Sequence, residues 1–281
     1  MRFILGSLAS LALAAVIAVG AAGANGSPYS PGLAYGWPGV GARSDGIRFV
    51  AFGMPKSTIV AAIRPRDGRV LESRVFRGFY GVPLVAYDGT PGGLSGDGKS
   101  LVLGSYGPLP GESGKTRFLV LKTGTVGVRR LVVLPGSWSY DAISPDGSTL
   151  YLVEHISAGP NPRYRVRAFA VPDGSLLPEP IVDTRENEAL MRGQPATRTT
   201  TGDGRWAYTL YARPKQEPFV HALDTRGRKA YCIDLPLELD QQRQMALRLK
   251  LADDGRRLTV RAGARVLADV DTKTFEVRKG G

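Results

Sequence analysis

The dipeptide Asp-Gly recurs along this 281-residue chain at a near-constant interval, and no other feature limits its fold as strongly. The stretch "ISPDGSTLYL" from Ile143 has counterparts in "LSGDGKSLVL" from Leu94, "TTGDGRWAYTL" from Thr200, "LADDGRRLTV" from Leu251 and "ARSDGIRFVAF" from Ala42. The shared acids are Asp45, Asp97, Asp146, Asp203 and Asp254, separated by 52, 49, 57 and 51 residues. A period near fifty marks a repeat architecture. Asp bonds to its own neighbouring backbone and Gly accepts positive φ without a clash, so each copy predicts a tight turn between two antiparallel strands. A second turn follows in every copy: Arg66-Asp67-Gly68, Lys122-Thr123-Gly124, Pro172-Asp173-Gly174, Asp224-Thr225-Arg226-Gly227 and Asp271-Thr272-Lys273. Apolar runs such as "TIVAAIR", "RFLVLK" and "RVRAFAV" precede these turns, so each repeat predicts about four short strands.

A four-stranded sheet of this size cannot bury both faces alone, whereas several stacked around an axis cover one another. The expected fold is therefore all-β, a β-propeller of about five four-stranded blades. Six is the alternative, if residues 25–44 complete a further blade with the C-terminal strand. The segment "VLPGSWSYDAISPDGSTLYLVEH" resembles the repeat of YVTN-type and WD-like bacterial β-propellers, and "MRGQPATRTTTGDGRWAYTLY" is a looser copy. The resemblance runs over roughly residues 40 to 275. It implies a fold that hosts many functions, so it assigns no role by itself.

Arg2, an uncharged apolar stretch from Phe3 to Gly20 and the small residues Ala22-Gly23-Ala24 have the order of a secretory signal peptide. The expected organisation is a signal peptide at 1–24, an N-terminal segment at 25–39 and the propeller at 40–281, in a secreted or extracytoplasmic protein. The competing expectation is an uncleaved anchor, since about 18 apolar residues just span a bilayer. Cys232 is the only cysteine, so no intramolecular disulfide exists. A lone Cys in the strand-like "KAYCIDLPL" is expected as a small buried residue. The net charge of +12 favours anionic partners: a small molecule, a peptide or an envelope polymer. Nucleic acid is not expected outside the cytoplasm, and membrane contact is expected only through an uncleaved N-terminus. Arg supplies 28 of the 37 cations without any run longer than two, and a solvated Arg-rich surface explains the charge equally well.

Catalytic motifs are weak. "GESGKT" from Gly111 lacks the first glycine of a phosphate-binding loop, because position 109 is Leu109. Gly93-Leu94-Ser95-Gly96-Asp97 misses the closing glycine of a nucleophile elbow. The two histidines, His155 and His221, do not stand at metal-ligand spacing with each other or with Cys232. No catalytic residue, metal or cofactor is therefore expected. A hydrolase or lactonase-like enzyme with loops at the channel mouth is the rival to a non-catalytic binding module. Positions four to six before each Asp-Gly turn are expected to meet at one mouth of the channel. They are Tyr140 and Asp141, Thr197 and Arg198, and Arg248 and Lys250, a set that suits an anionic ligand or, as a structural plug, pairs internally. Arg163, Arg165 and Arg167 alternate in "PRYRVRAFAV", which puts three guanidinium groups on one strand face as a weaker anion site or as a solvated edge.

Overall fold

The computed structural model describes residues 30–41, 46–158, 162–185 and 190–280; the expected signal peptide and Asp45 lie outside them. Strands dominate, and they fall into successive antiparallel sheets in sequence order. The first blade comprises Val40–Gly41, Arg48–Met54, Ser57–Arg64 and Arg69–Arg77. The second comprises Ser100–Gly104, Lys115–Lys122 and Gly127–Pro135, with a single bridge from Leu94 to Leu101 standing for its innermost strand. The third runs Trp138–Ile143, Thr149–Ser157, Arg163–Ala170 and Ser175–Ile181; Met191–Arg192 adds to its third strand. The fourth runs Gln194–Thr200, Trp206–Ala212, Phe219–Asp224 and Lys229–Asp234. The fifth runs Arg248–Leu251, Arg257–Ala262, Arg265–Asp271 and Val277–Lys279, after the short helix Gln241–Met245.

Alternating apolar residues along each strand send one set of side chains to each face, and consecutive sheets bury these sets against each other. Phe49, Val60, Leu101 and Leu121 seal the first blade to the second. Val102, Phe118, Leu150 and Leu152 seal the second to the third. Tyr151, Val166, Ala207 and Leu223 join third to fourth, and Leu210, Val220, Leu258 and Val260 join fourth to fifth. The chain is a β-propeller of five blades, and its hydrophobic stabilisation resides in these four seams. No apolar cluster among the described residues joins the fifth blade to the first.

The Asp-Gly turns carry a chemistry repeated atom for atom. Ser144 Oγ donates to Asp146 Oδ1 at 2.6 Å, the Ser148 N–H donates to the same oxygen at 3.0 Å, and the Thr149 N–H donates to Ser144 Oγ at 2.9 Å. Ser95 with Asp97, and Thr201 with Asp203, repeat the set. The hydroxyl bond from Ser144 holds the Asp146 carboxyl below the usual carboxylate range, with burial opposing it and the Ser148 bonds assisting. In the fifth copy Ala252 replaces the hydroxyl, and only the Arg256 N–H reaches Asp254, at 3.0 Å. Gly147 has φ +69°, and a Cβ there would also lie 2.3 Å from Ser100 Oγ, so glycine is required on two counts. Thr123, Thr225 and Thr272, in the second turns, donate back to the carbonyls of Gly98, Gly204 and Gly255 and lock the two turns together.

Candidate functional site

At the axis, the loop after Val82–Pro83 crosses the channel. The Tyr87 N–H donates to the Pro195 carbonyl at 2.9 Å and the Asp88 N–H to the Ala196 carbonyl at 3.2 Å, extending the inner edge of the fourth blade. Near this plug lie Tyr140, Asp141 and Arg198, three of the six residues expected at the mouth. Asp141 is the unpaired residue of a bulge between Tyr140 and Ala142, and a bulge re-aims the side chain of its extra residue. Its carboxylate meets Arg198 of the fourth blade, whose NH2 donates to Asp141 Oδ1 and whose NH1 donates to the Asp141 carbonyl. Arg198 Nε donates to Thr209 Oγ1 at 2.7 Å, so every guanidinium nitrogen is engaged. Both side chains are buried, and of the two only Asp141 Oδ2 has an unmet valence. Tyr140 packs beside them, on space that Gly92 leaves open: a Cβ on Gly92 would come within 2.6 Å of its ring. Burial raises the Tyr140 hydroxyl pKa well above its ordinary value.

Arg248 and Lys250 do not join that group, although Arg248 Nε lies 4.0 Å from Asp88 of the plug. The inner strand of the fifth blade has no bulge, and both residues project from the face turned away from the fourth blade, opposite Arg261 and Thr259. Arg248 donates to the Leu247 carbonyl at 2.7 Å and the Met245 carbonyl at 3.1 Å, and its nearest carboxylate is Asp88 at 4.0 Å. The alternating arginines of the third blade are placed on one face as expected, with a counter-ion of their own. Arg165, directly across the ladder, lies 2.6 Å from Glu154 and Arg167, on the diagonal, 3.2 Å from it, while Arg163 is exposed at the strand end.

The open space at the mouth is a cleft of about 1050 Å³. Its floor is the backbone of the Asp-Gly turns of blades two and four, which touch there: a Cβ on Gly96 would lie 2.0 Å from the Asp203 carbonyl. One wall carries Arg48, Arg64 and Arg66 of the first blade, and Asp141 with Arg198 forms the back. Arg64 and Arg66 share a single carboxylate, Asp67, at 3.2 and 3.9 Å. Arg48 has no carboxylate partner among the described residues; it donates to the Pro38 carbonyl at 3.1 Å and lies over the Trp37 ring at 5.4 Å. A wall of cations with one acid between two of them carries uncompensated positive charge.

Two features escaped the sequence. Ser139 Oγ lies 2.9 Å from His155 Nε2, an arrangement of hydroxyl and imidazole, while His155 Nδ1 is buried without a partner. Burial lowers the His155 pKa to about 4. A base so weak abstracts a proton from a serine poorly at neutral pH. The second is a polar row across the fourth blade inside the seam with the third. Arg198 pairs with Thr209, Thr209 with His221 and His221 with Cys232, each directly opposite the next. His221 is 1% exposed, neither ring nitrogen has a partner, and burial brings its pKa to about 4. Cross-strand register created both arrangements.

No family model matches the chain, and no curated protein matches it in sequence. Among solved structures it is similar to hydrazine synthase of Kuenenia stuttgartiensis at 16% identity, covering 80% of this chain and 73% of that one with a TM-score of 0.43. It is similar to the β-propeller domain of Cps50 (Swd1) from Myceliophteria thermophila at 12% identity, over 89% of this chain and 70% of that one, TM-score 0.49. TolB from Acinetobacter baumannii gives 12% identity over 83% and 68%, TM-score 0.34. Likenesses this distant leave the fold to rest on the sheets and seams, and ligand chemistry on the cleft.

Proposed function

We propose that this protein is an exported propeller that binds an anionic ligand in the cleft between its first blade and the Asp-Gly turns of blades two and four, with no chemistry of its own. The observation that carries this reading is the wall of Arg48, Arg64 and Arg66, which has one carboxylate for three guanidinium groups. Guanidinium forks match carboxylate and phosphate oxygens in pairs, so the recognised group is an anion of that geometry. Asp141 and Arg198 act as the back wall and as a structural clasp, since Arg198 donates to both the carboxylate and the carbonyl of Asp141. Export is supported by the charge, apolar run and small residues of positions 2 to 24.

The test is calorimetric titration with inorganic tripolyphosphate at two salt concentrations. Saturable binding that weakens with salt is expected, reduced about tenfold by Arg48→Ala, in line with loss of one charge-assisted bond. Binding that is absent, or unchanged in an Arg48→Ala, Arg66→Ala double variant, refutes the cleft. The Ser139 and His155 contact favours a second reading, a hydrolase, which requires turnover of an activated ester that disappears in Ser139→Ala.

A further inference from the structure

The outer end of the polar row opens on a second cavity, of about 450 Å³, where the third and fourth blades meet at their periphery. Three of its lining residues carry soft or borderline donor atoms: the imidazole of His221, the thiol of Cys232 and the thioether of Met191. His221 and Cys232 are opposite each other on paired antiparallel strands, which brings their Cβ atoms to about 5 Å on one face of the sheet. Met191 belongs to the two-residue strand that pairs with Tyr164 of the third blade, so it reaches the cavity from the other side of the seam. Met191 and Cys232 both pack on the same cluster of Val153, Tyr164, Tyr211 and Phe219. The Tyr211 ring also meets His221, edge to face at 6.3 Å.

A buried imidazole with neither nitrogen bonded is costly, at about 1 to 3 kcal/mol for each unsatisfied group, and is expected to have a use. Both carboxylates that line the cavity are already engaged, Asp234 accepting from Arg213 NH2 at 2.8 Å. Asp183 accepts from Arg185 Nε and NH2 at 2.9 and 2.6 Å and from the Cys232 N–H at 2.7 Å. The side chains of His221, Cys232 and Met191 line the cavity and bring one nitrogen and two sulfur donors to it.

We propose that His221, Cys232 and Met191 form a binding site for a soft monovalent metal ion, copper(I). Thiolate and thioether sulfur with imidazole select this ion by softness, and a three-donor set suits its low coordination number. On binding, the Cys232 S–H bond is replaced by an S–Cu bond and the proton leaves to solvent through the cavity; copper remains in the +1 state throughout. The site is independent of the cationic cleft, since it shares none of its lining residues.

The experiment is an oxygen-free titration of the full chain with copper(I), kept reduced by ascorbate, in competition with bicinchoninate. One copper per chain is expected, with an ultraviolet thiolate-to-copper band. Cys232→Ser abolishes both the band and the uptake. Met191→Leu, close in volume, keeps the melting temperature and weakens binding about tenfold. Bicinchoninate retaining all the copper in the presence of wild-type protein overturns the proposal, as does a Cys232→Ser chain that holds as much copper as wild type. Unchanged affinity in folded Met191→Leu removes the thioether from the site.

Discussion

The outward faces of the first and last blades differ in kind. Across the first blade, Phe52, Ile59 and Val75 form a row directly opposite one another, and Arg48, Ile63 and Val70 form another. Val75 is 66% exposed and Phe52 45%. Across the fifth, the corresponding row is Lys250, Thr259, Asp269 and Arg278, flanked by Arg248 with Arg261 and by Arg257 with Asp271. Thr259 donates to Asp269 at 2.7 Å inside that row. One face is apolar, the other charged, and neither complements the other as the inner seams do. Repeats of similar sequence are therefore not interchangeable: the first blade carries an apolar row on its unsealed face, whereas the fifth carries a charged one.

Breaking an interior seam and altering a terminal face should separate sharply. Asp141→Ala leaves Arg198 buried and unpaired between blades three and four, and it should cost about 3 to 5 kcal/mol in urea unfolding. A loss below 1 kcal/mol would mean that this seam does not depend on its ion pair. Lowering pH attacks the same seam. His155 and His221 have folded pKa values of about 4 against about 6.5 when unfolded, so the unfolded chain takes up their protons first. Their contribution is complete above pH 6.5, falls as pH drops from 6.5 to 4 and is gone below that, about 3 kcal/mol for each histidine. Melting that stays flat from pH 7 to 4 would contradict the burial of both rings.

A smaller effect compares turns. Ala252→Ser supplies the fifth blade with the hydroxyl that blades two to four use, and should stabilise the protein by about 1 kcal/mol; Ser144→Ala should cost about as much. Equal melting of both variants and wild type would show that the hydroxyl clasp is idle. The smallest change is expected on the terminal face itself. Val75→Ser should shift stability by no more than about 0.5 kcal/mol, because its side chain is already in water. A loss as large as that of an interior seam residue would show that the first blade's outer face is covered in solution.

What could be read in advance follows from locality. Asp146, Gly147 and Ser144 act on atoms within a few residues of one another, so the turn chemistry and the repeat were legible, while the blade count stayed open between five and six. Counting back from the turn brings Tyr140, Asp141 and Arg198 together, and the same count does not bring Arg248 and Lys250 to them. The difference is the bulge at Asp141, a one-residue register change that no residue type announces. Thr209, His221 and Cys232 fall into one row with Arg198 only through strand register.

Turn-forming dipeptides and alternating strands are short-range properties, and by themselves they determined an all-β chain of five hairpin-built repeats. The tertiary structure alone decided which arginines are neutralised and which line the cleft, where the polar row lies, and which sheet faces remain unsealed. Those outcomes depend on register, bulges and the order of packing between sheets, and each is set by contacts between residues tens of positions apart.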